Sequence, residues 1–251
     1  MERPYLIVGG DSAIGRNLKV FWEDLGVKFH ASTRHLDAVS HERPYIDLTN
    51  GVWDAIHEVR YESVVFCAAV TGLANCENNP SFSRRVNVEN TLNLARLLSG
   101  NAEYLLFLSS DQILGESIGG HEQNELSDYM SEYGRQKAET EVGFMSLSNA
   151  GVLRLGKVVH EDWLLFRNWK KRLRAGERIE AYVNLNLAPV RIEDVVFKID
   201  ELLKAKEPSI LRFAASEEIS YFMFAKEIAR ELGVDPCLVS GVVGGTSLAL
   251  F

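Results

Sequence analysis

The sequence predicts an α/β fold in which helices cover both faces of a parallel sheet. Short apolar runs alternate with longer helical patterns through the first two-thirds of the chain, which is the rhythm of β-α-β units. These runs predict strands at residues 5–8, 28–32, 64–67, 104–108 and 152–155. A chain of 251 residues, 46% of them hydrophobic, is long enough to bury the core of one such domain with a small appendage.

The segments between these strands have apolar residues three or four positions apart, the spacing of an amphipathic helix. One set precedes Gly26, a plausible helix stop, and comprises Ile14, Leu18, Phe21 and Leu25. A second set precedes Gly100 and comprises Val88, Thr91, Leu92, Ala95 and Leu98. Right-handed crossovers would bring the carboxyl ends of all the strands to one edge of the sheet, where ligands bind in open α/β folds.

A glycine-rich turn joins the first predicted strand to the first predicted helix, and residues 9–15 read GGDSAIG. Glycines let the backbone approach a pyrophosphate, and the helix N-terminus offers unpaired N–H groups. The correct strand before and helix after this turn favour a dinucleotide site of the Rossmann type over a plain turn. The predicted contacts are Gly9, Asp11, Ser12, Ala13, Ile14 and Gly15. Ser12 replaces the middle glycine of the common pattern, and either narrows the approach or donates its hydroxyl to a phosphate.

The residues after the second predicted strand indicate which dinucleotide binds. An NAD-selective site carries an acidic residue here for the ribose hydroxyls, whereas this chain has Arg34, which favours a 2′-phosphate. NADP(H) is therefore the expected cofactor, with NAD(H) as the alternative. The other interpretation of Arg34 is an ordinary surface arginine in a loop. Asp47 and Leu48, after the next short apolar run, are expected to line the adenine.

Two further motifs supply candidate chemistry. Ser110 follows the strand predicted at 104–108, and Tyr133 and Lys137 lie four residues apart in the helical sequence YGRQK, on one helix face. A lysine ammonium near a phenol favours the phenolate, and so lowers a pKa that is ordinarily about 10. Ser110, Tyr133 and Lys137 are therefore the predicted catalytic set.

After residue 156 the alternating rhythm breaks. An aromatic and basic helical stretch covers 163–173, an irregular run continues through Pro189, and helices are predicted at 192–203 and 221–232 with a strand at 211–214. Ser220 begins the last helix and Gly233 ends it. We expect a Rossmann-type NAD(P)-binding domain at 1–155, to which 188–207 returns, and a small substrate-binding subdomain formed by 156–187 and 208–251.

The motifs together resemble the extended short-chain dehydrogenase/reductases, and among them the sugar-nucleotide reductases of the dTDP-4-dehydrorhamnose reductase type. The resemblance covers nearly the whole chain, through LIVGGDSAIG, DLTN, CAAVTG, RRVNVENTLNLARLL, FLSSDQILGE, SEYGRQKAE, VLRLGKV and LAPVRIEDVV. It implies that Ser110 holds a substrate carbonyl, Tyr133 delivers a proton and Lys137 binds the nicotinamide ribose. It also implies that Ala68, Ala69 and Asn87 line the cofactor path, and that 154–157 leads into the substrate domain.

The resemblance implies NADPH-dependent reduction of a nucleotide-linked keto-sugar, an activity of polysaccharide biosynthesis. The reductases usually follow Ser/Thr-Asp with an aromatic residue and Phe-Asp-Gly, whereas residues 112–115 here read QILG, which leaves the substrate open. The C-terminal part is short for the family, so the sugar-nucleotide pocket is expected to be either abbreviated or completed by a second copy or a partner subunit. The alternatives are a nucleotide-sugar epimerase or dehydratase with tightly bound NAD(P), and a non-enzymatic NADP-binding regulatory subunit.

Composition argues against several other classes. A net charge of -8 and a sequence pI near 5.4 disfavour a nucleic-acid partner, and the basic run at 167–174 is better explained as a solvated helix face or an anion-binding edge. Three cysteines without CxxC spacing indicate a reducing, cytoplasmic location. We find neither a leader pattern nor an apolar run long enough for a membrane span, and the six histidines lack ligand spacing, so no membrane partner and no metal are expected.

Overall fold

The computed structural model describes residues 3–54, 56–114 and 131–244. The described chain divides into two compact units, one formed by 3–155 and 193–213 and the other by 156–192 and 214–244. The helices are α1 (Ala13–Asp24), α2 (Leu73–Asn78), α3 (Pro80–Arg84), α4 (Thr91–Ser99), α5 (Glu132–Met145), α6 (Leu164–Arg174), α7 (Ile192–Ala205) and α8 (Tyr221–Glu231). The strands are β1 (Tyr5–Val8), β2 (Phe29–Ala31), β3 (Ile46–Asp47), β4 (Val52–Trp53), β5 (Tyr61–Phe66), β6 (Ala102–Ser110), β7 (Ala150–Leu155), β8 (Lys157–Val159), β9 (Ile179–Tyr182), β10 (Asn186–Leu187), β11 (Pro189–Arg191), β12 (Ile210–Phe213), β13 (Ile219–Ser220) and β14 (Val239–Val242).

The first unit is built on a parallel sheet with the strand order β12-β7-β6-β5-β1-β2. The next strand of this sheet along the chain after β2 is β5, which lies on the other side of β1, so the strand order reverses between β1 and β5. In open α/β sheets, ligands bind at such a reversal, outside the carboxyl ends of the strands. The predicted doubly wound, Rossmann-type fold is confirmed.

Strands buried on both faces explain the continuous apolar runs of the sequence. All four residues of β1 are buried, as are Tyr104–Leu108 within β6. On one face, the rings of Phe66 and Phe107 pack against Phe144 of α5, with centroids 5.0 and 4.7 Å away. Elsewhere in the unit, Trp22 of α1 donates a 3.0 Å hydrogen bond from its indole to Asp200 of α7. The sheet is therefore held rigidly under the loops at its carboxyl edge.

The five strands predicted for the first part of the chain are all present, with shifted ends. The second is shorter, at 29–31, and the third begins three residues earlier, at 61. The strand predicted at 211–214 is β12, which pairs in parallel with β7 and lies in the first unit. The sequence predicts residues 208–251 as part of the small subdomain, whereas residues 208–213 lie in the first unit. The pairing of an edge strand such as β12 depends on tertiary contacts, because the apolar pattern of the strand alone does not show which sheet it joins.

The second unit has its own apolar core. Helices α6 and α8 bury Phe166, Trp169, Phe224 and Ile228 together with strand residues such as Ile179. Strand β14 pairs in parallel with β9, β8 with β11, and β13 pairs antiparallel with β10. Among the described helices of the whole chain, none is long and apolar enough to cross a bilayer.

Candidate active site

The glycine turn is packed so closely that it leaves no room for a side chain at Gly9 or Gly15. Gly9 has φ +92°, and a Cβ placed there would lie 2.7 Å from the backbone nitrogen of Ala68. A Cβ on Gly15 would overlap the carbonyl oxygen of Gly9. Ser12 caps α1, because its hydroxyl oxygen accepts a 3.0 Å hydrogen bond from the Gly15 N–H. Backbone N–H groups at the start of α1 are therefore open to close approach by an anion.

A cavity opens at the carboxyl ends of β1, β2 and β5, directly beside this turn. Seven of the residues predicted to touch a cofactor line it, namely Gly9, Asp11, Ser12, Arg34, Leu48, Ala68 and Ala69. The predicted contacts Ala13, Ile14 and Gly15 instead form the first turn of α1, behind the Ser12 cap. The cavity lies where a Rossmann-type fold binds the adenosine half of a dinucleotide.

Asp47 has a different place from the one expected. Its carboxylate accepts hydrogen bonds from the Thr49 N–H, at 2.8 Å, and from the Asn50 side chain, at 2.7 Å. Burial alone would raise the pKa of Asp47, but these hydrogen bonds and the charge of Arg34 outweigh it and lower the pKa. The carboxylate thus shapes the turn that presents Leu48 to the cavity, and Asp47 itself is not among the cavity's lining residues.

Asn87 was expected to line the cofactor path, and the structure instead buries it, with 2% of its surface exposed. Its side-chain oxygen accepts from the Val70 N–H at 2.8 Å, and its amide donates to the Val70 carbonyl at 3.0 Å and to Gln136 at 2.8 Å. It belongs to a π-helical turn, Arg85–Asn90. Such turns are frequent at functional sites. Asn87 therefore clamps the cavity-lining loop after β5 to helix α5.

Ser110 stands at the end of β6, partly exposed, and its hydroxyl oxygen accepts a 3.3 Å hydrogen bond from the Gln112 N–H. The next residue, Asp111, forms an ion pair with Arg212 of β12, in which guanidinium nitrogens lie 2.8 and 3.2 Å from the carboxylate. This contact between two strand ends fixes the turn that carries Ser110. Of residues 112–115, where the sequence departs from the reductase pattern, Gly115 lies outside the described part of the chain.

Tyr133 and Lys137 lie on the buried face of α5, whose first turn is capped by the Ser131 hydroxyl. Their exposed fractions are 8% and 4%. The Lys137 ammonium donates a 2.8 Å hydrogen bond to the Leu108 carbonyl of β6 and lies 5.7 Å from the centre of the Tyr133 ring. The structure thus brings the lysine, the tyrosine and the end of β6 together, as the three predicted catalytic residues require.

The expected lowering of the tyrosine pKa is wrong for this structure. Burial raises the pKa of Tyr133, and the nearby thiol of Cys76 adds to the effect. Burial also lowers the pKa of Lys137 to about 8, although the charge of Glu141 acts in the opposite direction. The lysine is directed at a backbone carbonyl, and a buried phenol loses its proton reluctantly. Tyr133 is therefore a neutral phenol at physiological pH.

Sequence reasoning missed the acid that supports the lysine. Glu141 is four residues beyond Lys137 and 5% exposed, and its carboxylate accepts hydrogen bonds from Arg154 of β7 at 2.8, 3.1 and 3.2 Å. The spacing of Tyr133, Lys137 and Glu141 at positions i, i+4 and i+8 was visible in the sequence and places all three on one helix face. Among the described residues, no cluster of histidine, cysteine and acidic side chains could hold a metal ion.

A sequence profile for one protein family, described as the RmlD substrate binding domain, matches residues 3–246. The chain belongs to this family. The chain is 25% identical over 240 residues to the probable low-salt glycan biosynthesis reductase Agl14 of Haloferax volcanii, covering 92% of this chain and 80% of that protein. It is 26% identical over 160 residues to methionine adenosyltransferase 2 subunit beta of Bos taurus, a match covering 61% of this chain and less than half, 46%, of the subunit.

Solved structures have the same fold as this RmlD-type chain. The dTDP-4-dehydrorhamnose reductase of Bacillus anthracis, in complex with NADP, has a TM-score of 0.83 at 18% identity and covers 97% of this chain and 85% of its own. MoeE5 in complex with UDP-glucose and NAD has a TM-score of 0.79 at 20% identity, over 96% and 85% of the two chains. The resemblance to dTDP-4-dehydrorhamnose reductases predicted from the motifs is thereby confirmed.

Proposed function

We propose that this chain is an NADP(H)-dependent oxidoreductase that reduces the keto group of a nucleotide-linked sugar. The observation that carries the proposal is the link between the cavity-lining loop after β5 and α5, the helix that carries Tyr133 and Lys137. Asn87 hydrogen-bonds to Val70 of this loop and to Gln136 of α5, and Val70 lines the cavity. The candidate acid, Tyr133, and the cofactor cavity thus belong to the first unit.

The residues around the cavity fit a dinucleotide. The side-chain-free turn at Gly9 and the capped start of α1 suit a pyrophosphate, and Arg34 suits a 2′-phosphate. The neighbouring structure whose cofactor is NADP, a dTDP-4-dehydrorhamnose reductase, supports the same assignment. When bound, the reduced nicotinamide supplies the hydride that the carbonyl carbon receives.

The chain's own residues would handle the proton. Ser110 donates a hydrogen bond to the carbonyl oxygen, and Tyr133 transfers its phenolic proton to that oxygen as the alcohol forms. A neutral phenol is the form that can donate, and Tyr133 is in that form, although its raised pKa also makes it a weaker acid. The Lys137 ammonium, held by the Leu108 carbonyl, stabilises the phenolate that remains until solvent returns a proton.

Two lines of support point to the sugar nucleotide. A relative named as a probable glycan biosynthesis reductase aligns over 92% of this chain, and a neighbour of the same fold is in complex with UDP-glucose. We assign substrate binding to the second unit, in keeping with the domain division expected from the sequence. A panel of nucleotide-linked keto-sugars would identify the sugar.

The test is turnover with added cofactor. The purified chain is mixed with NADPH and a panel of nucleotide-linked keto-sugars, and loss of nicotinamide absorbance is followed together with product analysis. We expect one alcohol formed per NADPH consumed. Sugar interconversion without net oxidation of NADPH would contradict the proposal and establish an epimerase, which recycles a tightly held cofactor.

A second candidate function is a cofactor-binding regulatory subunit. The observation that favours it is the match to a protein named as a subunit, methionine adenosyltransferase 2 subunit beta. The sequence QILG at 112–115, in place of the aromatic residue and Phe-Asp-Gly of the reductases, agrees with it. NADPH binding without turnover of any sugar in the panel, together with capture of a distinct catalytic chain, would favour this function over the reductase.

A further inference from the structure

Asp11 in the glycine turn is bound to two residues of the neighbouring edge of the sheet. One carboxylate oxygen accepts a 2.6 Å hydrogen bond from the Thr33 hydroxyl, and the other accepts a 2.8 Å hydrogen bond from the guanidinium of Arg43. Asp11, Thr33 and Arg34 all line the cavity.

The backbone around Arg43 is held firmly beside β2. Ser40 and Arg43 exchange two backbone hydrogen bonds of 3.1 Å across a tight turn. The following segment continues in parallel with the end of β2, where the Thr33 N–H donates to the Pro44 carbonyl at 3.1 Å and Thr33 forms a bridge with Tyr45. Arg43 thus reaches the carboxylate of Asp11 from a rigid support, close to the segment that carries Arg34.

The hydrogen-bonding capacity of the two arginines is only partly used. Arg43 contacts Asp11 through one terminal nitrogen, and its Nε is buried with no hydrogen-bond partner among the described residues. Arg34 forms no hydrogen bond to any described residue, and acts on Asp47 through its charge. A guanidinium binds a phosphate through parallel N–H donors, so both arginines can offer more than they use.

We propose that Arg43 joins Arg34 in binding the 2′-phosphate of NADP(H), and that Asp11 holds Arg43 in position until the phosphate replaces it. The inference rests on the proposed cofactor function and names the residue pair that would set its selectivity. The Asp11–Arg43 pair is about one-third exposed on each side, and exposed pairs of this kind are weak. A phosphate with its larger negative charge can displace the carboxylate, whereas the 2′-hydroxyl of NAD(H) cannot.

The Asp11 carboxylate also opposes the phosphate by its own charge. It therefore lowers the preference for NADP(H) while keeping Arg43 in reach, and the site's selectivity reflects both effects. Removing the arginine and removing the carboxylate should shift selectivity in opposite directions, which a merely structural ion pair would not do.

The test measures the dissociation constants of NADPH and NADH for the full chain, through the fluorescence of the bound nicotinamide. For Arg43→Gln we expect the NADPH constant to rise about tenfold, the scale of a lost charge-assisted contact, and the NADH constant to change less than about twofold. For Asp11→Asn we expect NADPH to bind more tightly relative to NADH. Arg43→Lys should retain an intermediate preference.

The matched control is Arg96→Gln, which removes an exposed arginine of α4 that contacts Asn93, away from the cavity. It should leave the ratio of the two constants unchanged. This inference alone would be overturned if Arg43→Gln weakened the binding of NADPH and NADH equally. It would also be overturned if an Arg43→Gln chain that unfolds at the normal temperature kept the ratio of the two dissociation constants unchanged. Failure of the unmodified chain to bind either cofactor would overturn the proposed function with it.

Discussion

The ammonium of Lys137 is hydrogen-bonded to the carbonyl oxygen of Leu108, 2.8 Å away and two residues before Ser110. This bond joins α5 to the end of β6 in the interior of the first unit. When the chain folds, the Lys137 ammonium loses its hydration and gains a hydrogen bond to one carbonyl and the more distant charge of Glu141. The thiols of Cys67 and Cys76 are nearby. The position is therefore sensitive to pH.

We expect the stability of the fold to rise with pH above about 8, owing to Lys137. Burial lowers its pKa to about 8 from the ordinary 10.5, so within this window the unfolded chain keeps a proton that the folded chain has released. Urea unfolding at pH 7.5 and 9.5 would compare the unmodified chain with Lys137→Met. The unmodified chain should gain stability relative to the variant at the higher pH. A constant difference would contradict the lowered pKa.

Tyr133→Phe should abolish turnover, by about 10²–10⁴-fold, while cofactor binding and the fold persist, because only the proton-donating hydroxyl is removed. The matched control is Tyr61→Phe, which removes a buried hydroxyl with no partner among the described residues and should leave turnover intact. Full activity of Tyr133→Phe would move the acid role elsewhere. Tyr129, four residues before Tyr133, would be the first candidate, and it lies outside the described residues.

Arg34→Ala should remove most of the preference for NADPH over NADH, because Arg34 lines the cavity and is free to bind the 2′-phosphate. Titration of both cofactors at low and moderate salt would measure it, and the preference of the unmodified chain should shrink as salt rises. Equal affinities of the unmodified chain for the two cofactors would remove the argument from Arg34.

Arg154→Met should destabilise the fold by about 3–5 kcal/mol, since it leaves the buried carboxylate of Glu141 without its partner. The double variant with Glu141→Leu should recover much of this loss, because neither member of the Arg154–Glu141 pair is then left without the other. Arg172→Met is the control, as its exposed pair with Glu177 should contribute about 0–1 kcal/mol. Equal losses in the two arginine variants, measured by urea unfolding, would contradict the assigned burial.

Sequence patterns predicted the parts of the site that depend on short stretches of chain. The glycine turn is recognisable because a strand, a turn that excludes side chains and a helix N-terminus follow one another within about a dozen residues. The alignment of Tyr133 with Lys137 follows from helical spacing alone. By contrast, sequence patterns did not show that Asp47 hydrogen-bonds to Thr49 or that Asn87 hydrogen-bonds to Val70, and the cofactor contacts expected of these two residues stay predictions.

By itself, the sequence determined the Rossmann-type class, the alternation of strands and helices, and the candidate residues Ser110, Tyr133 and Lys137. Periodicity and turn chemistry act between near neighbours in the chain and can be recognised there. Only the tertiary structure decided that β12 joins the main sheet, that Arg154 neutralises Glu141 and that Arg43 reaches Asp11. Each of these contacts joins segments far apart in sequence. It also decided that Tyr133 is a neutral phenol, because the pKa of a side chain depends on its burial and on charges brought to it by the fold.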